Sequence, residues 1–188
     1  MSARITEFAD AALQIVARDG LPGLSFRSVA REAGCSLGAV QKAFATKEEL
    51  LHAALERAQS TVTGSFSAEP AKPTLEKWLV GLVSATLPVD AERRAAVIVG
   101  VAFSDRAPFD EKIAASIRGG DEAIRTQLIR LFAWRRADGE LHARLDDDSL
   151  ARAILAFSAG LAGQLLYDPR PVAEVEALVA GVVASMLA

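Results

Sequence analysis

Cysteine is nearly absent from this chain: Cys35 is the single one, so no disulfide can form within it. It reads as a small buried residue at a helix turn rather than as a redox sensor. Histidine is almost as scarce. His52 and His142 lie far apart, and neither stands at metal-ligand spacing to another His or to Cys35. The chain has no glycine-rich phosphate loop and no nucleophile elbow, so no catalytic residue, cofactor or metal is expected and it does not read as an enzyme. Asp146-Asp147-Asp148 could be mistaken for a cation site, but acids just ahead of Ser149 and an apolar run are the usual start of a helix. Aromatics make up 6% and β-branched alternation is rare, while Ala, Leu, Arg and Glu abound, which excludes a sheet protein and predicts an all-α fold. No uninterrupted apolar run reaches membrane-spanning length, and MSARITEFAD lacks the core of a signal peptide. A cytoplasmic chain with no membrane partner is the expectation.

What is present suffices for a core: 51% of the 188 residues are hydrophobic, enough for one or two small domains. The net charge of −3 is spread unevenly. Residues 1–58 carry seven cations and seven anions, so the remaining fourteen cations and seventeen anions hold the whole excess. Between Ser25 and Lys47 the charges are Arg27, Arg31, Lys42 and Lys47 against Glu32 alone. A local basic face is what phosphate contact requires, whatever the global balance.

That basic stretch is also the best-patterned one. Ser25 can cap a short helix over residues 26–33, Gly34 stands where the chain must turn, and Ser36 can cap a second helix to about Phe44. Val29, Ala30, Ala33, Val40 and Phe44 would lock the two helices across each other. This is the pattern of a helix-turn-helix, whose second helix lies in the DNA major groove. Leu37, Gly38 and Ala39 then fall near the groove; Leu37 and Ala39 suit thymine methyls and Gln41 suits adenine. Ser25, Arg27, Ser36, Lys42 and Lys47 suit phosphates. Thr46-Lys47-Glu48-Glu49 has the form of a capping box and opens the next helix.

The residues from ADAALQIVARDG to ATKEELLHAAL resemble the TetR family of bacterial transcriptional regulators. The resemblance is carried by Asp19-Gly20, by Ser25, Arg27, Val29 and Ala30, by Ala33-Gly34-Cys35-Ser36 with Gly38, and by Phe44 with Thr46-Lys47-Glu48-Glu49-Leu50. The chain departs at Leu37, where many members carry a basic or polar residue, and at Gln41-Lys42-Ala43, where they carry aromatic hydroxyls that help hold phosphates. Gln41 and Lys42 supply polar and cationic replacements, but base preferences do not transfer.

About nine helices are expected: an N-terminal three-helix helix-turn-helix domain (1–46), a connecting helix and linker (47–70), and a C-terminal helical bundle for ligand binding and dimerisation (71–188). The first helix spans about 3–18, the fourth runs to Ser60 or Thr63, and residues 64–73 break the pattern. Thr74 caps a fifth helix, Asp90 a sixth carrying buried Val97, Ile98, Val101, Ala102 and Phe103, and a seventh spans about 109–137 across Gly119-Gly120. Local sequence permits a break at that pair; the resemblance favours one helix. Helices eight (147–166) and nine (172–187) are apolar on more than one face, more than one small domain can bury. Their small residues suit a two-fold four-helix interface at Gly160, Gly163, Val175, Val179, Val182 and Met186, and the resemblance implies the same.

The resemblance further implies a homodimeric, ligand-responsive regulator, most often a repressor, on a palindromic operator in double-stranded DNA. It also implies an effector cavity among helices five to eight. Trp78, Leu82, Val99, Phe103, Ile124, Leu128, Phe157 and Leu161 are available as apolar wall, with Ser158 and Gln164 as polar partners, which suits a small apolar or aromatic effector. Two other readings stay open: a helical small-molecule carrier or enzyme retaining a regulator-like head, and an effector-independent architectural DNA binder.

Overall fold

A computed structural model describes residues 3–65 and 74–188, and among these it contains nine α-helices, one short 3-10 turn and no strand. The expected linker falls mostly on 66–73, outside the described residues; Gly64 and Ser65 themselves are helical.

The chain divides into two compact units: Met1–Ser67 with Arg94–Arg118, and Ala68–Arg93 with Gly119–Ala188. The first unit begins with α1 (Ala3–Gly23), which is longer than its periodicity suggested. Gly20 adopts φ 71°, a left-handed backbone that glycine takes without steric cost, so the helix kinks there and adds one turn through Pro22. Next come α2 (Phe26–Glu32), α3 (Leu37–Ala43) and α4 (Lys47–Ser65). α1 packs along α4, and its Phe8, Ala12, Ile15 and Val16 are buried in one core with Leu24, Val29, Val40, Phe44, Leu50, Leu51 and Ala54. The rings of Phe8 and Phe44 meet at 6.3 Å, tilted by 60°. Between α1 and α4, Arg57 Nε donates to Asp10 Oδ1 at 2.7 Å.

α6 (Ala91–Arg106), the 3-10 turn Ala107–Phe109 and the start of α7 (Glu111–Ala137) bring Val99, Phe103 and Ile113 into that same core. The expectation for α6 needs correction. Val101 is 47% exposed, whereas Val99 is buried, because 99 and 103 share one face of the helix and 101 lies on the opposite side. Cys35 is likewise only half-buried.

In the second unit, Thr74 Oγ1 accepts from Lys77 N and starts α5 (Leu75–Ala85). Asp90 Oδ1 accepts from Arg93 N at 2.8 Å and starts α6. α7 continues unbroken through Gly119-Gly120 and ends at Gly139, whose φ is 75°. Arg136 then spans the loop: its guanidinium donates to Ala143 O, Leu145 O and Asp147 Oδ1, each at about 3.0 Å. α8 (Asp147–Tyr167) follows with Asp146 as its cap, and α9 (Val172–Leu187) closes the chain and packs on α5. α8 has the length and apolarity of a membrane span, although Arg152 interrupts its apolar run, because its leucines, Ile154, Phe157 and alanines sustain the average. Leu150, Ala151, Ile154, Leu161 and Leu165 on it are buried within the chain.

Candidate nucleic-acid interface

The geometry of the 25–50 stretch follows from its caps. Ser25 is extended (φ −151°, ψ 162°), and its hydroxyl accepts from Ser28 N at 3.0 Å. Ser28 Oγ in turn accepts from Ser25 N at 2.8 Å and reaches Gly23 O at 2.9 Å. A serine therefore takes the place that Glu or Gln usually fills in a reciprocal capping box, and it ties the end of α1 to the start of α2. Sequence reading passed over Ser28; the Ser-x-x-Ser spacing was the available signal.

α2 ends as a Schellman motif. Gly34 (φ 62°) lets its N–H reach Arg31 O at 3.3 Å, and Cys35 N reaches Ala30 O at 2.9 Å. That motif favours an apolar residue at the position after the glycine, which accounts for Cys35 packing against the head's core. Ser36 Oγ then accepts from Ala39 N at 3.3 Å and starts α3. α3 stops where Phe44 turns extended (φ −134°) and sinks into the core. Thr46 Oγ1 accepts from Glu49 N at 3.2 Å, while the Glu49 carboxylate accepts from Ala45 N at 2.7 Å, one residue earlier than a standard box.

These caps determine which side chains face outward. Val40 points into the core, and at 100° per residue Gly38 and Lys42 lie on the opposite side of α3 with Gln41 on its flank, all exposed. Leu37 and Ala39 flank them half-buried, and Ala39 leans on the core. Ser25, Arg27, Ser36 and Lys47 are exposed around this face.

The charge balance is more favourable to a polyanion than the sequence implied. Glu32, the one acid between Ser25 and Lys47, accepts from Arg18 Nη2 at 3.1 Å, and Arg18 also holds Asp19. The Glu32 and Asp19 carboxylates raise the Arg18 pKa further above its ordinary value, first by hydrogen bonding. Among the described residues no acid pairs with Arg27, Arg31, Lys42 or Lys47 within 4.0 Å. Arg18 is thus a residue the motif search missed, because its partner is fourteen positions away.

The other expected sites are distributed as follows. Of the ten candidate effector residues, Val99 and Phe103 are closed inside the first unit's core. The remaining eight lie in the second unit: Leu82, Leu128 and Leu161 are buried, Trp78, Ile124, Phe157 and Ser158 half-buried, and Gln164 exposed. Ser158 is already engaged, 2.6 Å from the Thr86 hydroxyl on the neighbouring α5 segment. Gln164 borders an open groove of about 290 Å³ with Leu165, Arg170 and Leu178.

The candidate interface residues on α8 and α9 differ in exposure. Val175 and Val179 are buried within the chain itself, facing inward with Val183. Gly160 is exposed, and Gly163, Val182 and Met186 are half-buried. The outward stripe is built of smaller residues: Ala156, Gly160 and Gly163 on α8, Ala177, Gly181 and Ala184 on α9.

Known proteins share both the pattern and the fold. Residues 8–54 match the family described as bacterial regulatory proteins, tetR family, and residues 73–188 match the description BetI-type transcriptional repressor, C-terminal. The chain is 28% identical over 167 residues to the HTH-type transcriptional regulator PksA of Bacillus subtilis (strain 168), covering 88% of this chain and 80% of that one. It is similar to the crystal structure of a transcriptional regulator from Rhodococcus sp. Rha1, with a TM-score of 0.88 at 28% identity over 97% of this chain and 95% of that one. At 24% identity it shares the fold of the multidrug binding protein EbrR complexed with ethidium, with a TM-score of 0.73 over 98% of this chain and 99% of that one.

Proposed function

The chain belongs to the TetR family of bacterial transcriptional regulators, and on that premise we propose that it is a cytoplasmic, homodimeric repressor that binds a roughly palindromic operator and leaves it when a small apolar or aromatic effector binds. The observation that carries the DNA half of this reading is the outward face of α3. Gly38, Gln41 and Lys42 stand clear of the core, Arg27 and Lys47 flank them, and Glu32, the one acid between Ser25 and Lys47, is paired with Arg18. Gln41 presents both an acceptor and a donor, the pair that recognises adenine in the major groove. Arg27, Lys42 and Lys47, with the Ser25 and Ser36 hydroxyls, supply phosphate contacts that set register without reading bases.

Two such heads related by a two-fold axis meet half-sites about one helical turn apart. The small outward residues of α8 and α9 allow the close helix approach that a four-helix interface needs. The repressor half of the proposal leans on the BetI-type description of residues 73–188. The effector half leans on the second unit's half-buried Trp78 and Phe157, on the lack of any buried charged side chain among the described residues, and on EbrR holding an aromatic ligand on the same fold. Release requires only that the effector bind the operator-incompetent arrangement more tightly than the competent one.

The experiment is selection of genomic fragments by the purified protein, followed by fluorescence anisotropy at several salt concentrations. Lys47→Ala should weaken binding to every sequence alike and flatten the slope of log K against log salt by about one. Selected fragments that bind no better than random DNA at equal salt would sink the proposal.

A further inference from the structure

The hydroxyl pair between α5 and α8 has a polarity that limits what an effector can be. Thr86 ends α5, and its hydroxyl donates to Val83 O at 2.7 Å. A carbonyl oxygen only accepts, and a hydroxyl has one proton, so the Thr86 proton is committed. Thr86 Oγ1 also lies 2.6 Å from Ser158 Oγ. With Thr86 unable to donate twice, the Ser158 hydroxyl is the donor of that pair, which leaves the Ser158 oxygen with lone pairs and no proton to offer. Ser158 and Thr86 are each half-buried.

The surroundings match the body of the effector proposed above. Trp78, Leu82 and Thr86 follow at four-residue intervals on one face of α5 and its cap, and Ile154, Ser158 and Leu161 share one face of α8 at intervals of four and three. Both stripes are apolar apart from the hydroxyl pair. We infer that Ser158, oriented by Thr86, is the hydrogen-bond acceptor of the effector site, and that the effector carries an O–H or N–H donor on an apolar or aromatic body. The inference rests on the effector reading above, and it adds Thr86 as a positioning residue that sets which way Ser158 points its proton.

The test uses matched probes of nearly equal shape: indole against benzofuran, and 2-naphthol against 2-fluoronaphthalene. Each is titrated into the full-length protein by isothermal calorimetry, with thermal melts to verify that variants fold. The wild type should bind the donor of each pair about fivefold more tightly, although the other member is the more apolar. Ser158→Ala should erase that preference. Thr86→Val, which frees the Ser158 proton, should shrink it and improve benzofuran binding. Binding of all four probes with no donor preference overturns the inference while the effector site stands. A preference that survives Ser158→Ala overturns it too, by placing the acceptor elsewhere. No binding by any probe removes the aromatic effector site, and the inference with it. Should a variant fail to fold, the wild-type comparison of the two pairs still decides.

Discussion

Replacing Gly38 by Ala should raise stability and lower DNA affinity, two changes of opposite sign from one methyl group. Gly38 lies in α3, and a Cβ built on it meets no heavy atom within 4 Å, so the substitution creates no clash within the chain. Glycine in a helix costs about 1 kcal/mol relative to alanine. Near the N-terminal end of a seven-residue helix the gain should sit toward the lower part of that range, roughly 0.5 kcal/mol. For a chain of this size that is a rise in Tm of about 1–2 °C. The same methyl stands on the face opposite Val40, where the backbone itself is proposed to approach the major groove. Overfilling a closely packed site costs about 1–3 kcal/mol, a loss of affinity of roughly 5-fold to 150-fold. Gly34→Ala is the control. Its Cβ also meets nothing, but φ is 62°, so it should destabilise by about 1–2 kcal/mol through the backbone alone. Urea denaturation and anisotropy on one selected operator read both quantities. Gly38→Ala that binds as tightly as the wild type would take Gly38 off the DNA face, and destabilisation by it would contradict its helical setting.

Ser28→Ala removes the reciprocal bond to Ser25 N and the tie to Gly23 O, and should cost about 1–2 kcal/mol in urea melts, with weaker DNA binding as the start of α2 loosens. Gly163→Arg meets open space within the chain, so sedimentation should show folded monomers; a dimer that persists would move the interface off α8. Bonds from the Ser149 backbone N–H and hydroxyl lower the Asp146 pKa. Its contribution is therefore fully present above the ordinary aspartate pKa of about 3.9 and is lost as pH falls through the lowered folded value. Asp146→Asn should flatten the acid limb of the stability curve, and an unchanged limb would refute the assignment.

Local chemistry, acting over three or four residues, was written in the chain. Ser25, Ser36, Thr46, Thr74, Asp90 and Asp146 each cap a helix because a short oxygen-bearing side chain can reach an unpaired N–H three residues on. Gly34 and Gly139 close helices because only glycine enters a left-handed backbone at no steric cost. The all-helical class, the helix-turn-helix and most element boundaries follow from such signals. Which face of an apolar helix turns inward did not, because periodicity marks a face only where polar residues mark its opposite. In α9, apolar residues stand on both sides, with Val175 and Val179 buried while Leu178 is 48% exposed, and in α6 Val101 reads as core when it is exposed. Partners distant in sequence were equally invisible: Arg18 with Glu32, Arg57 with Asp10, and Thr86 with Ser158 across seventy-two positions. Those pairs exist because packing apolar faces brings unrelated turns of the chain within hydrogen-bond distance, and only the folded arrangement of the helices decides which ones meet.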